Sequence, residues 1–179
     1  MFSPAARLLA TLFAIIGGVT YAMRGSSAGW LLVAAGLLVG SGYFRYGTVW
    51  SAFRAYQRGD VGTTAQRLAQ TRYPALLTAE SRAYFEFLTG AVQLRRGDPG
   101  VARSHLEIAA RGPLRTENMQ CIVQCHLAEA ALELGEHNRA LDYLAAARKL
   151  PHTDALEEII GRLETKSAEG RSTRRDGSP

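Results

Sequence analysis

The chain has 179 residues, 47% of them hydrophobic, which excludes a mainly disordered polypeptide and suits one modest domain with an anchor. Its formal net charge of +5 points toward nucleic acid only until it is mapped. Residues 1–46 carry Arg7, Arg24 and Arg45 and no acid, while residues 47–164 carry fourteen basic and fourteen acidic side chains, so no compact basic cluster emerges and no nucleic-acid partner is expected.

Two charge-free runs come first. Residues 8–23 read LLATLFAIIGGVTYAM and residues 28–44 read AGWLLVAAGLLVGSGYF. Both are predicted to be helices of a transmembrane hairpin over residues 1–46, because backbone polar groups in lipid must be satisfied internally. Each run is somewhat shorter than the ~20 residues that usually cross a bilayer core. Snorkelling of Arg7, Arg24 and Arg45 extends them, and Tyr21, Trp30, Tyr43 and Tyr46 lie where an interfacial belt would. Small residues recur on one face, as Ala10, Ala14 and Gly18, then Gly36 and Gly40. Close approach of the two helices to each other is the favoured use, ahead of dimerisation. Two alternatives stay open. The first run also fits a signal peptide cleaved after Ala22, with the second as stop-transfer. Both runs could instead be core helices, although they lack the polar stripe such helices keep. Arg45, Arg54 and Arg58 after the second run outnumber Arg24 in the connecting loop, which places both ends in the cytoplasm of a bacterial cell and makes the inner membrane the expected location.

Beyond the hairpin the chain repeats. Gly59-Asp60, Gly97-Asp98 and Gly135-Glu136 fall 38 residues apart, each between two helical patterns, and each is followed by a proline, at Pro74, Pro113 and Pro151. The first unit is predicted from Thr48 to Arg58 and then around Ala65, Leu68 and Ala69. In the second, Glu80–Arg96 is followed by a return helix with Val101, Ala102, Leu106, Ile108 and Ala109 inward. For the third, Thr116–Gly135 presents Ile122, Cys125, Leu127, Ala128, Ala131, Leu132 and Leu134, and the return helix after His137 presents Ala140, Leu141, Leu144, Ala147 and Leu150. Asp154-x-x-Glu157 reads as a capping box opening a terminal helix with Leu156, Ile159, Ile160 and Leu163 inward. Residues 167–179 read as a disordered tail by composition.

A fixed period of helical hairpins is the signature of an α-solenoid, so the expected class is all-α: a two-helix membrane hairpin, then about three repeats and a capping helix over residues 47–166. The pattern resembles the tetratricopeptide repeat. Leu127-Ala128, Ala140-x-x-x-Leu144 and Pro151 carry the likeness in the third unit. Gly90, Ala102-x-x-x-Leu106 and Pro113 carry it in the second, and Ala52, Leu68 and Pro74 in the first. With Gly59, Gly97 and Gly135 these are the expected repeat-packing residues. The likeness departs in its period of 38 rather than 34, and in Gln124 and Ala131 standing where large aromatics are usual.

The resemblance implies a concave groove lined by the first helix of each repeat, taking a protein or peptide. Trp50 and Phe53, with Tyr84 and Phe87, are the candidate partner-binding residues, while most neighbouring rings are expected to fill the core. A carboxylate clamp is not expected, because Phe87, Ala91, Cys125 and Glu129 stand at the positions it needs. No phosphate loop, dinucleotide fingerprint or nucleophile elbow is present. His105, His126, His137 and His152 are scattered, and Cys125 and His126 point apart, so no catalytic residue, metal site or cofactor is expected. Cys121 and Cys125, four apart on one helix, cannot form a disulfide without distorting it, which fits a reducing compartment. The reading is a membrane-anchored adaptor; the alternative is an accessory subunit held in a membrane complex by its hairpin.

Overall fold

The computed structural model describes residues 4–25, 27–46 and 48–176. Among them regular structure is helical throughout, with no strand, and the chain divides into two units, Met1–Gly47 and Thr48–Pro179.

The first unit is a hairpin of α1 (Pro4–Met23) and α2 (Ser27–Tyr46). It turns at Arg24 and Gly25, where the Gly25 N–H donates to the Ala22 carbonyl at 3.0 Å. The interface is built from missing side chains. A Cβ on Gly18 would lie 2.8 Å from the Val33 backbone nitrogen, and one on Gly29 would collide with the Ala22 backbone. Gly18, Gly29 and Gly36 are buried, whereas Phe13, Tyr21, Met23, Trp30 and Leu31 are all exposed. The hairpin is thus inverted relative to a water-soluble pair, with small residues inside and large apolar ones outside. Thr20 returns its hydroxyl proton to the Ile16 and Gly17 carbonyls, so even this polar group demands little of its surroundings. Among the described residues no helix is long and apolar enough to cross a membrane. The two spans expected over residues 8–23 and 28–44 are therefore not found as spans; both runs are helical, and each falls short of the ~20 apolar residues a span requires. The side chains of Arg7, Ala10, Ala14, Gly40, Tyr43, Arg45 and Tyr46 lie outside the described residues.

The second unit stacks three helical hairpins and a last helix: α3 (Val49–Gln57) with α4 (Val61–Ala69), α5 (Ala79–Arg95) with α6 (Pro99–Arg111), α7 (Glu117–Glu133) with α8 (His137–Arg148), then α9 (Asp154–Asp176). The three 38-residue marks are one turn made three times. Gly59, Gly97 and Gly135 have φ of +75°, +80° and +72°, a region only glycine enters without strain. Each glycine N–H bonds back three residues, to the carbonyls of Tyr56, Leu94 and Leu132. The acid that follows bonds back five, to Ala55, Gln93 and Ala131. This paired closure satisfies the last carbonyls of the first helix and aims the chain into the second.

Packing advances by one step per hairpin. Helix α5 touches both α3 and α4, α7 touches α5 and α6, and α9 touches α7 and α8. Close approach within the second hairpin depends on Gly90, where a Cβ would lie 2.6 Å from Leu106 Cγ and 3.0 Å from the Ala102 carbonyl. Ala102, Leu106, Ala128, Ala140 and Leu144 are completely buried, and Leu127 nearly so. A second cluster, with Cys121, Cys125, Ala131, Ala147, Leu156 and Ile160, joins α7, α8 and α9.

Four expectations are corrected. Val101, Ile108 and Leu134 are exposed rather than inward. Asp154 is the first residue of α9 and makes no capping box, because the Glu157 carboxylate is held by Arg148 at 2.7 Å and His152 at 2.8 Å. Pro74 opens a single 3-10 turn, Pro74–Leu76, rather than merely ending the unit. The tail expected to be disordered is helical to Asp176: Ser167 is buried with its hydroxyl on the His137 carbonyl at 3.2 Å, and Gly170 lets α9 pass against the His137 ring. Residues 177–179 lie outside the described residues.

The α8–α9 corner yields a pH prediction. His152 donates through Nδ1 to the Leu150 carbonyl and through Nε2 to Glu157, and these two acceptors hold its pKa above the ordinary histidine value. A raised folded pKa contributes stability that is complete below the unfolded value, about 6.5, and fades as pH rises through the folded value. Glu157, held below its usual range by His152 and Arg148, stays ionised throughout that window. His152→Gln should therefore lower the melting temperature more at about pH 5.5 than at about pH 8.5. Equal losses at both would show that the imidazolium is not held.

Candidate interface on the first helices

The first helices α3, α5 and α7 carry two aromatic groups. In the first, Trp50 lies 4.9 Å from Tyr84 and 6.1 Å from Phe53 between ring centres, and Phe53 meets Tyr84 edge-on at 5.3 Å. Arg115, in the segment before α7, places its guanidinium 5.2 Å over the Trp50 ring and its Nε 3.0 Å from a Glu80 carboxylate oxygen. The cation is thereby held over the face of the indole, within the range of a cation–π attraction. Tyr84 is buried, which pushes its phenol above the ordinary value.

The second group joins α3 to α7 across α5. Tyr56 packs edge-on to Phe87 at 5.3 Å, and its hydroxyl lies 2.8 Å from His126 Nε2. His126 Nδ1 lies 3.1 Å from Glu129. A carboxylate only accepts, so in the neutral ring Nδ1 carries the proton and Nε2 accepts from the phenol. Burial pushes the Tyr56 phenol up to about 12, keeping it a neutral donor. The hydrogen bond from His126 holds Glu129 below its usual range, against a smaller opposing effect of burial. Arg95 and Lys166 add positive potential at Glu129.

These positions correct the expected groove. Tyr84 and Phe87 do not face an opening; they are 3% and 0% exposed and form the floor between the first helices. Three-residue spacing put them on one side of α5 correctly, but α5 is enclosed by α3, α4, α6 and α7, so that side is interior. Trp50 and Phe53 are half-buried, each with an edge left to solvent. His126, expected only as one of four scattered histidines, is bonded to Glu129. Their partner Tyr56 is 70 residues away, a separation no local pattern encodes. Arg115 was missed; its place before the Thr116 helix cap marks it as a loop residue but not as a ring partner.

The thiols offer no reactive centre. Cys121 and Cys125 are buried and free, and burial pushes the Cys125 thiol up to about 12. Among the described residues no group of three or more His, Cys, Asp or Glu side chains could hold a metal ion. The surface that remains is a half-exposed Trp50–Phe53 edge roofed by Arg115, suited to apolar and aromatic side chains. Compared with known proteins, the chain matches no family model, no curated protein and no solved structure.

Proposed function

We propose that this protein is a non-enzymatic, membrane-anchored adaptor of tetratricopeptide-like architecture, lodged in a bacterial inner membrane by its hairpin and docking a protein partner on its cytoplasmic helical array. The observation that carries the reading is the inverted hairpin. Phe13, Met23, Trp30 and Leu31 are each at least two-thirds exposed, an arrangement costly in water and favourable in lipid. Its glycine interface supports the same reading, since small residues drive helix association where the solvent is itself apolar. The array supports the adaptor role through repetition: its apolar clusters run from one hairpin into the next, and stacking of that kind leaves an extended surface for partners.

Topology supplies the test. In a background with Cys121 and Cys125 replaced, single cysteines at Ser26 and Ser172 should label differently with an impermeant maleimide in intact cells. Only the Ser26 site should react. Labelling at Ser172 alone would reverse the assignment, and equal labelling of both after lysis but neither before would place the whole hairpin on one side.

One observation favours the second reading, an accessory subunit held by its hairpin. The rings expected to line a groove are largely consumed as core, whereas the hairpin presents most of its large side chains outward. Deleting residues 1–47 separates the two: an adaptor keeps its partner in a crosslinked pull-down, and a hairpin-docked subunit loses it.

A further inference from the structure

We propose that the first hairpin of the array, α3–α4 with the segment leading to Leu76, is a docking surface for an anionic lipid bilayer, centred on Arg67, Arg72 and Tyr73. The inference rests on the membrane reading above and goes beyond it: the array itself, and not only its anchor, engages the headgroups.

Charge segregation is the first observation. The array is formally balanced, yet residues 48–73 hold Arg54, Arg58, Arg67 and Arg72 against Asp60 alone, while residues 74–164 hold ten basic and thirteen acidic side chains. Further along, Arg103, Arg115, Arg139 and Arg148 are each within 3.0 Å of a carboxylate. Among the described residues, none of the four arginines of the first hairpin has an ion pair, and Asp60 spends its carboxylate on the Thr63 N–H at 2.9 Å. A region whose own acids are absent is built to meet acids elsewhere.

Position is the second. Helix α4 runs back along α3, and Thr48 closes the loop. Its hydroxyl donates to the Arg67 carbonyl, and the Thr71 hydroxyl stands 2.8 Å from it. The Arg67 backbone and Thr71, the residue before Arg72, are thereby tied to Thr48, which in sequence comes two residues after α2 ends at Tyr46. Basic groups next to a membrane segment are the ones that feel the surface potential, which decays within a Debye length of about 8–10 Å.

Chemistry of the neighbours is the third. Tyr73 and Leu76 are more than half exposed and directly follow exposed Arg72. A tyrosine, a leucine and an arginine on one short segment reproduce the mixture found at headgroup depth, where rings and aliphatic groups enter the interface and guanidinium groups remain with phosphate. An acidic protein would explain the arginines but leave Leu76 without a reason.

The experiment uses the full chain with Trp30→Phe, leaving Trp50 on α3 as the sole tryptophan. Energy transfer from Trp50 to a dansyl lipid is read in phosphatidylcholine vesicles with and without phosphatidylglycerol, with flotation measured in parallel. Each basic side chain near an anionic surface is worth about fivefold in binding, so R67Q/R72Q should lower the docked-to-undocked ratio roughly 25-fold. R111Q/R162Q, which removes the same charge from exposed sites elsewhere, should leave it unchanged. Raising salt to about 1 M, where the Debye length is about 3 Å, should abolish the phosphatidylglycerol-dependent gain in the unmutated arginine background. Thermal melts of both double variants guard against misfolding, and the salt series stands without any substitution. Transfer indifferent to phosphatidylglycerol, or equal loss in both double variants, overturns the proposal and assigns the arginines to an acidic protein. Flotation with both vesicle types supports the anchor. Flotation only with phosphatidylglycerol, lost in R67Q/R72Q, upholds docking while sinking the anchor. Flotation with neither sinks both.

Discussion

Replacing Ala140 by glutamate should abolish the cooperative thermal transition of residues 48–176. Ala140 is completely buried where α8 faces α7, in the cluster with Cys121, Cys125, Ala128, Ala131 and Leu144. The site is completely buried among apolar side chains, so the new carboxylate would lose its hydration. Burying it costs several kcal/mol, and the added volume in a close-packed core costs roughly 1–3 kcal/mol more. A domain of this size has about 5–15 kcal/mol in total, so the sum takes most or all of it. Circular dichroism through a melt checks the result. Ala145→Glu, five residues on and exposed on the same helix, should change little. Ala140→Gln should fall between the two, because it brings volume without charge. An unchanged melt for Ala140→Glu would mean that α8 does not present this face to α7.

Why the repeats were legible and the groove was not follows from the range of the interactions involved. Gly59, Gly97 and Gly135 act through bonds three and five residues back, so their spacing in sequence is their spacing in structure. Helix limits came within a few residues for the same reason. Burial is a property of neighbours. Nothing near Tyr84 or Phe87 says that four helices enclose α5, and nothing near Val101 or Ile108 says that α6 turns them outward. The stretch after Lys166 is polar by composition, but a helix there is held by the fit of two small residues, Ser167 and Gly170, over His137. The balanced charge of residues 47–164 hid its own segregation, because a sum over the array discards position. In the hairpin the small-residue pattern was readable, yet Gly29, not among those small residues, proves to stand directly against the Ala22 backbone of α1.

Phe87→Ala should lower the unfolding free energy of residues 48–176 by about 3–5 kcal/mol, the usual cost of emptying a large buried aromatic site. The ring is fully buried, is among the largest such side chains, and supports both Tyr56 at 5.3 Å and His126 at 5.7 Å between ring centres. Its loss leaves the Tyr56–His126 hydrogen bond spanning a cavity, so α3 loses its tie to α7 along with the packing. Denaturant midpoints measure the loss, and the Tyr56 phenol should titrate below about 12 once water reaches it. Trp50→Ala and Phe53→Ser make the contrast. Each removes a half-exposed ring whose packing can partly collapse, so each should cost less than Phe87→Ala. If the adaptor reading holds, these two weaken partner capture at temperatures where the array remains folded. Capture lost only when the melt shows unfolding would mean that the aromatic row serves the core alone, and the hairpin would then be the surface that meets the partner. A Phe87→Ala array as stable as the parent would restore the opposite view, with Phe87 facing an open groove.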